Sequence, residues 1–483
     1  MQDNKKISLY LLAAYAAILL ILGSLIVFRI NAIGGYYWDF TAHMLYAKAL
    51  ASTEFYSSIA NHTAALAISY ENIFYVEWFR APLMSVLMVP FIPMGSYGPM
   101  YYVVAELAFL IIASIYAADS ISTNRFLMLV MLFTPYVVIY LTLLNGAEIL
   151  SMALLLLGIG LAARGKWQAG LVLSLAGLAK YFSSIFILLL FFLPKRERLK
   201  GLLSYLAVLA AWFAVNFAAF GNPIESYLQS FGEAFIIYKV SESSIVSAAV
   251  QSYSIIFAYI IPFVFAAAAI SAVMLLRRKG TPAKKRRSLL NGFEYKEKIV
   301  IVSFLLALIG TAAVSIHASI NNLPRWGYEI YACTALLLGV LFSRAINKYS
   351  QYKRYAYAAI ALAAIVYVFI LAVSYSGIQS HYPFASLGTK NATVLGAVME
   401  IKNLGIENCS MISNAWVYLR YYGIPAHYPG NMNSTSDKYP AVVINNVGIN
   451  ANSVDTEGYS VASLGKNYGI YFPSNYSCVV FSR

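Results

Sequence analysis

With 483 residues, 60% of them hydrophobic and only 11% charged, the chain falls outside the soluble globular class, whose members carry about 25% charged side chains. A net charge of +14 would point to nucleic acid in a soluble protein, yet there is no nucleic-acid motif, and most of the 34 Lys and Arg lie in short clusters between apolar runs. No Gly-rich phosphate loop, metal-spaced His/Cys cluster or Ser-His-Asp order occurs, which argues against a sugar-nucleotide enzyme and an ATP-driven pump.

In chain order the apolar runs are Ser8–Phe28, Tyr101–Ala118, Phe126–Leu144, Leu202–Phe220, Ile256–Leu276, Ile299–Ile320 and Tyr355–Val373. Each is long enough to cross a hydrocarbon layer about 30 Å thick. The first run exceeds a signal h-region and lacks a small-x-small cleavage site, so it reads as a retained span. The basic clusters Lys5–Lys6, Arg125, Arg164–Lys166, Lys195–Lys200, Arg277–Lys298 and Arg344–Arg354 read as cytoplasmic, which puts the amino terminus inside. The Arg277–Lys298 loop then meets anionic headgroups.

Two segments resist simple counting. Pro82–Gly95 is about 14 residues, roughly 20 Å of helix, and is either a short span or a half-membrane helix. Gln168–Leu193 has basic clusters at both ends, so it is either one span that defies the charge rule or a hairpin of two short helices. The expected fold is an all-α polytopic membrane protein of about 11 transmembrane helices, residues 1–377, followed by a small extracytoplasmic α/β domain, residues 378–483. The outer loop 29–81 carries interfacial helices, and a second long outer loop covers Gly221–Ser252. In the tail the apolar runs shorten to strand length ("CSMIS", "AVVIN", "CVVFS") behind one amphipathic helix, "NATVLGAVMEIKNLG". Five N-x-S/T sequons, at Asn61, Asn391, Asn408, Asn433 and Asn475, all fall in segments that the charges place outside. Cys409 and Cys478 share that side, where a disulfide is permitted but not required. Cys333 reads as a small buried side chain.

Candidate chemistry begins in "GGYYWDFTAHMLYAKALAS". Asp39 and His43 share a helix face, and Phe40, Met44, Ala47 and Ala51 form an apolar stripe on another, the pattern of an interfacial helix. Asp39 is either a site acid at the membrane mouth or an N-cap. In "YENIFYVEWFRAPL", Glu71, Glu77 and Arg80 stand among aromatics, as carbohydrate sites require and as an interfacial belt also would. In "LLNGAEILSMALLLL", Asn145 and Glu148 have capping-box spacing, which is compatible with Glu148 also being a ligand. Lys180, in "GLAKYFSS", lies about 14 residues from the basic residues on either side, too deep to snorkel, and an ionisable group at that depth is functional by default. "HASINNLPRWGYEIYAC" brings His317, Arg325, Tyr328 and Glu329 to an outer loop. Arg325 is either a two-pronged phosphate ligand or a partner of Glu329 at i+4.

With these residues in order, the chain resembles the GT-C superfamily of integral-membrane glycosyltransferases. It is most similar to the polyprenyl-phosphate-mannose-dependent mannosyltransferases. The likeness rests on "YYWDFTAHMLYAKAL", "WFRAPL", "LLNGAEILSMALLLLGIGLAARGK" and "AGLVLSLAGLAKYFSSIFILLLFFLPK". It implies transfer of a sugar, with mannose favoured, from a polyprenyl-phosphate donor to a lipid-linked glycan or surface glycoconjugate acceptor on the extracytoplasmic side of the bilayer, with inversion. Asp39 matches the family's catalytic base. Arg325 and Lys180, with Tyr328, are the candidates for the donor phosphate, and His43, Glu71, Glu77, Arg80, Glu148 and Glu329 for the substrates. No cofactor is called for. A divalent metal is compatible but not favoured, because the second outer position offers only Glu148 rather than a pair of acids. The missing "WWDYG"-type signature speaks against block transfer of glycans to protein. The competing class is a transporter or flippase of lipid-linked glycans, disfavoured by the lack of an internal repeat.

Overall fold

A computed structural model of the protein describes residues 2–32, 38–51, 80–134, 137–138, 146–228, 230, 294–315, 328–348, 353–377, 384–427, 439–445, 454, 456–474, 476 and 478. The membrane part is a helical bundle. Helix α1 (Gln2–Ala32) packs against α4 (Gly98–Ser120). The two are antiparallel, since Gly23 lies on Leu107 while Tyr15 stacks edge-on with Phe126 at 5.4 Å. Helix α6 (Glu148–Ala163) runs parallel to α4, its Gly160 lying on Tyr116 and Ala117. Helices α9 (Tyr295–Ser315) and α10 (Tyr328–Lys348) close the core against α6, and α11 (Lys353–Gly377) packs on α1.

Among the described residues four helices are long and apolar enough to cross a membrane: Tyr10–Phe28, Gly98–Ser120, Lys195–Ala218 and Tyr328–Ile346. The expected count of about 11 is not reached there. Part of the difference is coverage, because the run Ile256–Leu276 lies outside the described residues. The described apolar helices Glu148–Ala163 and Ala356–Ala372 also fall short of a crossing length, as do the two segments whose reading the sequence left open.

Pro82–Gly95 does not behave as a span. It forms α3 (Leu83–Met88) and then a 3-10 helix, Val89–Tyr97, that contains Pro93 and a kink at Gly95 with φ +60°. Prolines remove backbone donors and stop α-helix propagation. The chain leaves beside Asp39 at Arg80 and returns to Tyr102, whose ring lies 6.4 Å from that of Phe40, the neighbour of Asp39. It therefore begins and ends at one end of the bundle.

Gln168–Leu193 is a hairpin. Helix α7 (Gln168–Ala179) breaks at Lys180, which is extended (φ −147°, ψ 118°), and a 3-10 helix, Tyr181–Phe192, returns. Gly177 lets the arms meet, since a Cβ there would stand 2.7 Å from Ser184 Oγ. The chain comes back to its start at α8 (Lys195–Phe220), where Glu197 accepts a hydrogen bond from the Trp167 amide at 3.3 Å. The chain returns to the side it left, so basic residues can flank both ends without violating the charge rule.

The carboxy-terminal part is a small α/β unit in which the runs "CSMIS" and "AVVIN" supply strands, while all but the first residue of "CVVFS" lies outside the described residues. Helix α12 (Phe384–Asn403) packs on a five-stranded sheet of order β2-β1-β3-β5-β4. Strand β1 (Met411–Ser413) is parallel to β2 (Ala426–His427) and β3 (Ala441–Ile444), while β4 (Tyr459–Leu464) and β5 (Tyr468–Pro473) form an antiparallel edge. Cys409 and Cys478 are disulfide-bonded, Cα to Cα 5.1 Å, and Cys333 is free and buried. Between β1 and β2 the short helix α13 (Trp416–Tyr421) lies on α2 (Trp38–Ala51).

Helix α2 is thereby gripped from two sides. Phe40, Met44 and Ala47 join the bundle core with Met84, Met88 and Tyr102. Ala42, Leu45 and Tyr46 join a second core with Trp416, Val417 and Leu419. Burial between these layers holds the Tyr46 phenol well above its ordinary pKa, with Tyr181 adding to the effect. Replacing Cys409 and Cys478 together by serine is expected to destabilise the sheet by about 2–5 kcal/mol, visible in the full-length protein as faster proteolysis within residues 384–478 and an earlier first thermal transition.

Candidate active site

Of the helices that start at one end of the bundle, three carry an acid in the first turn: Asp39 in α2, Glu148 in α6 and Glu329 in α10. The positive end of a helix dipole and its unpaired amides favour a carboxylate there. The tip of the α7 hairpin brings Lys180 to the same end, and the residue ahead of α3 brings Arg80.

Asp39 and Arg80 form an ion pair at 2.6 Å, with side chains only 14% and 11% exposed. One turn on, His43 Nδ1 is hydrogen-bonded to Ser85 Oγ at 2.8 Å, so α2 and the start of α3 are tied twice in register. His43 is itself buried. The floor beneath Asp39 is Gly146, where a Cβ would stand 2.8 Å from Asp39 Cβ and 3.0 Å from its Oδ2. Only glycine allows this approach.

Gly146 also connects Asp39 to the second ion pair. Its amide donates to Glu148 Oε2. Glu148 thus reaches back over the helix start, but as the first residue of a helix that begins after Ala147 rather than at the third position behind Asn145 that the capping-box spacing suggests; Asn145 itself lies outside the described residues. The intervening Ala147 is left-handed, φ +79°, a conformation that costs an L-residue about 1–2 kcal/mol and that collects at functional sites. The other carboxylate oxygen, Glu148 Oε1, meets Lys180 Nζ at 2.8 Å, with Glu148 fully buried and Lys180 19% exposed.

Beyond Lys180 lies a buried hydroxyl cluster. Ser183 donates to Glu329 Oε1 at 2.5 Å and lies 2.7 Å from the Tyr328 hydroxyl and 2.9 Å from Ser151 Oγ. Tyr328 donates to the same carboxylate oxygen at 3.0 Å. Ser151 and Ser183 were not singled out from sequence. The available signal was spacing, because each lies three residues beyond a charged site residue, one helical turn along. The cluster ties α6, the hairpin and α10 together and seals Tyr328 and Glu329 inside.

Seven of the ten sequence-predicted site residues therefore gather here: Asp39, His43, Arg80, Glu148, Lys180, Tyr328 and Glu329. The other three, Glu71, Glu77 and Arg325, lie outside the described residues, as does His317. Among the described residues no group of three His, Cys, Asp or Glu is arranged to hold a metal ion. Next to α2 an apolar cavity of about 370 Å³ is walled by Met44, Met88, Phe91 and Tyr102, with Lys48 and Tyr422 at its edge.

Residues 78–303 match the family model of glycosyltransferase family 87, a GT-C-type family of membrane glycosyltransferases. The protein is a membrane glycosyltransferase. The matched stretch contains Arg80, Glu148 and Lys180, while Asp39 precedes it and Tyr328 and Glu329 follow it. No curated protein and no solved structure matches the chain.

Three substitutions test how this glycosyltransferase assembles its site. Gly146→Ala should displace Asp39 and lower turnover at least tenfold with little change in thermal midpoint, read by steady-state assay and differential scanning fluorimetry. Lys180→Met strands a buried carboxylate and should cost about 3–5 kcal/mol of stability. Adding Glu148→Gln should recover most of that loss, so a thermal double-mutant cycle ought to show strong coupling.

Proposed function

We propose that this glycosyltransferase takes its sugar, mannose in the favoured case, from a polyprenyl-phosphate donor. It passes the sugar to a hydroxyl of a lipid-linked or surface glycan outside the cytosol. Asp39 is the base. The observation that carries the reading is the placement of this carboxylate at the shared start of three helices, fixed by Arg80 and Gly146 and backed by the Glu148–Lys180 pair.

The reaction follows from those groups. Asp39 takes the proton of the acceptor hydroxyl as the acceptor oxygen bonds the anomeric carbon from the face opposite the phosphate. The anomeric carbon–oxygen bond to phosphate breaks and its electron pair leaves on the lipid phosphate. That group passes from a diester to a monoester and gains negative charge as Asp39 loses its own. The transition state resembles an oxocarbenium ion, and the single displacement inverts the anomeric centre. Lys180, held at the hairpin tip, and Arg325 are the cations assigned to the departing phosphate. The apolar cavity beside Met44 and Met88 suits part of a prenyl chain.

The charge pattern supports an outward-facing site. Arg125, Arg164, Lys166 and Arg344 lie at or beyond the ends of α4, α6 and α10, away from Asp39, and basic ends face the cytosol. On this reading the amino terminus is cytoplasmic and the carboxy-terminal domain extracytoplasmic, where its disulfide is stable.

Asp39→Asn should abolish transfer from a labelled polyprenyl-phosphate sugar while the protein still inserts and melts normally. Turnover near the wild-type level would remove Asp39 from the role of base. A panel of labelled polyprenyl-phosphate sugars, each offered to native membrane glycolipids, identifies donor and acceptor together.

A further inference from the structure

The resting site poses a chemical problem. The carboxylate assigned as base is locked to a guanidinium at 2.6 Å, both groups largely out of water. A neighbouring guanidinium favours the charged carboxylate and makes it a poorer proton acceptor. The other charged groups do not relieve this. Glu148 lies across Gly146 and is held by Lys180, and Glu329 is sealed beneath Ser183 and Tyr328. His43 and Lys48 lie further along α2, with His43 bonded to Ser85. Of the elements packed on α2, the 3-10 helix carries Tyr97, α4 carries Tyr101, Tyr102 and the buried Glu106, the hairpin carries Tyr181, and α13 carries Tyr418 and Arg420. Arg420 turns away to the Ala426 carbonyl at 2.6 Å and to His427. Arg80 is the described cation in direct contact with the Asp39 carboxylate.

We propose that Arg80 is a substrate-operated latch: it neutralises Asp39 in the empty site and transfers to the donor's phosphate on binding, which frees the carboxylate to act as base. This rests on the assignment of Asp39 as base and adds a phosphate-binding role for Arg80. A guanidinium has five donors in a planar fork and matches either a carboxylate or a phosphate two-pronged, so the exchange trades one such pairing for another. It also suits the course of the reaction. Negative charge leaves Asp39 as it takes the proton and appears on the phosphate as the sugar departs, and Arg80 moves with it. An acceptor alcohol entering before the donor meets a masked base, which protects the site from idle chemistry.

The test is equilibrium binding of farnesyl phosphate, as a soluble prenyl phosphate, to the full-length protein and its variants in detergent. Competition between Asp39 and phosphate for one guanidinium predicts opposite signs for its two partners. Asp39→Asn should tighten farnesyl phosphate binding about three- to tenfold. Arg80→Gln should weaken it at least tenfold, and Arg80→Lys, which keeps the charge but loses the fork, should fall between. If Asp39→Asn leaves the affinity unchanged or weakens it, the latch is wrong, even where that variant is catalytically dead and the base assignment stands. Conversely, tighter binding by a variant that still turns over would retain Arg80 as the phosphate ligand and dismiss Asp39 as base. A second readout is the pH dependence of turnover. In the wild type the acid limb of kcat, which reports the loaded site, should lie above that of kcat/KM, which reports the empty one. In Arg80→Lys or Arg80→Gln that gap should shrink, and coincident limbs in the wild type would overturn the exchange.

Discussion

An ammonium and a carboxylate taken out of water together hold this site in place. Glu148 is fully buried at the start of α6, and Lys180 reaches it from the tip of a hairpin that breaks in extended conformation to do so. Neither charge is tolerable alone at that depth, because desolvation of an ion costs several kcal/mol. Paired, they fix where the hairpin ends. The hairpin tip in turn carries Ser183, through which α10 is tied to α6 by Tyr328 and Glu329. The same carboxylate of Glu148 accepts from the Gly146 amide, and Gly146 is the surface on which Asp39 rests.

The second constraint comes from outside the bundle. Helix α2 is too short to be stable alone, and it is held because two cores claim its two faces, one with α3 and α4 and the other with α13. The carboxy-terminal sheet, with its disulfide, is thus part of what orients Asp39, although it contributes no described charge to the site. The carboxylate is clamped while its partner Arg80 precedes α3, a short helix that passes at once into a 3-10 turn. A fixed base beside a cation on a short, kinked connection is an arrangement suited to exchange of the cation between partners.

Composition and periodicity made the class, the helical core and the strand-sized tail legible, because hydropathy, span length and strand length are local properties of the chain. Charge at unusual depth marked Lys180, acids at helix starts marked Asp39 and Glu148, and Glu329 was marked as an outer-loop partner of Arg325. Ser151 and Ser183 were not legible, since a serine in an apolar helix is ordinary until a partner on another helix is known. Two segments stayed ambiguous in the sequence for a related reason. Pro82–Gly95 and Gln168–Leu193 are apolar enough to be buried, and apolarity records burial without recording whether the chain crosses or turns back.

The sequence by itself determined a helical membrane protein and nominated most of its charged site, because those signals are carried by residue type and by spacing within single helices; the glycosyltransferase reading came from its resemblance to the GT-C superfamily. Only the tertiary structure decided that Asp39 faces Arg80, 41 residues away, that Lys180 meets Glu148, and that α13 of the carboxy-terminal domain packs on α2. These contacts join residues on different elements. They exist because close packing and the need to pair buried charge leave few arrangements of the bundle open, and no local pattern encodes which of those arrangements is adopted.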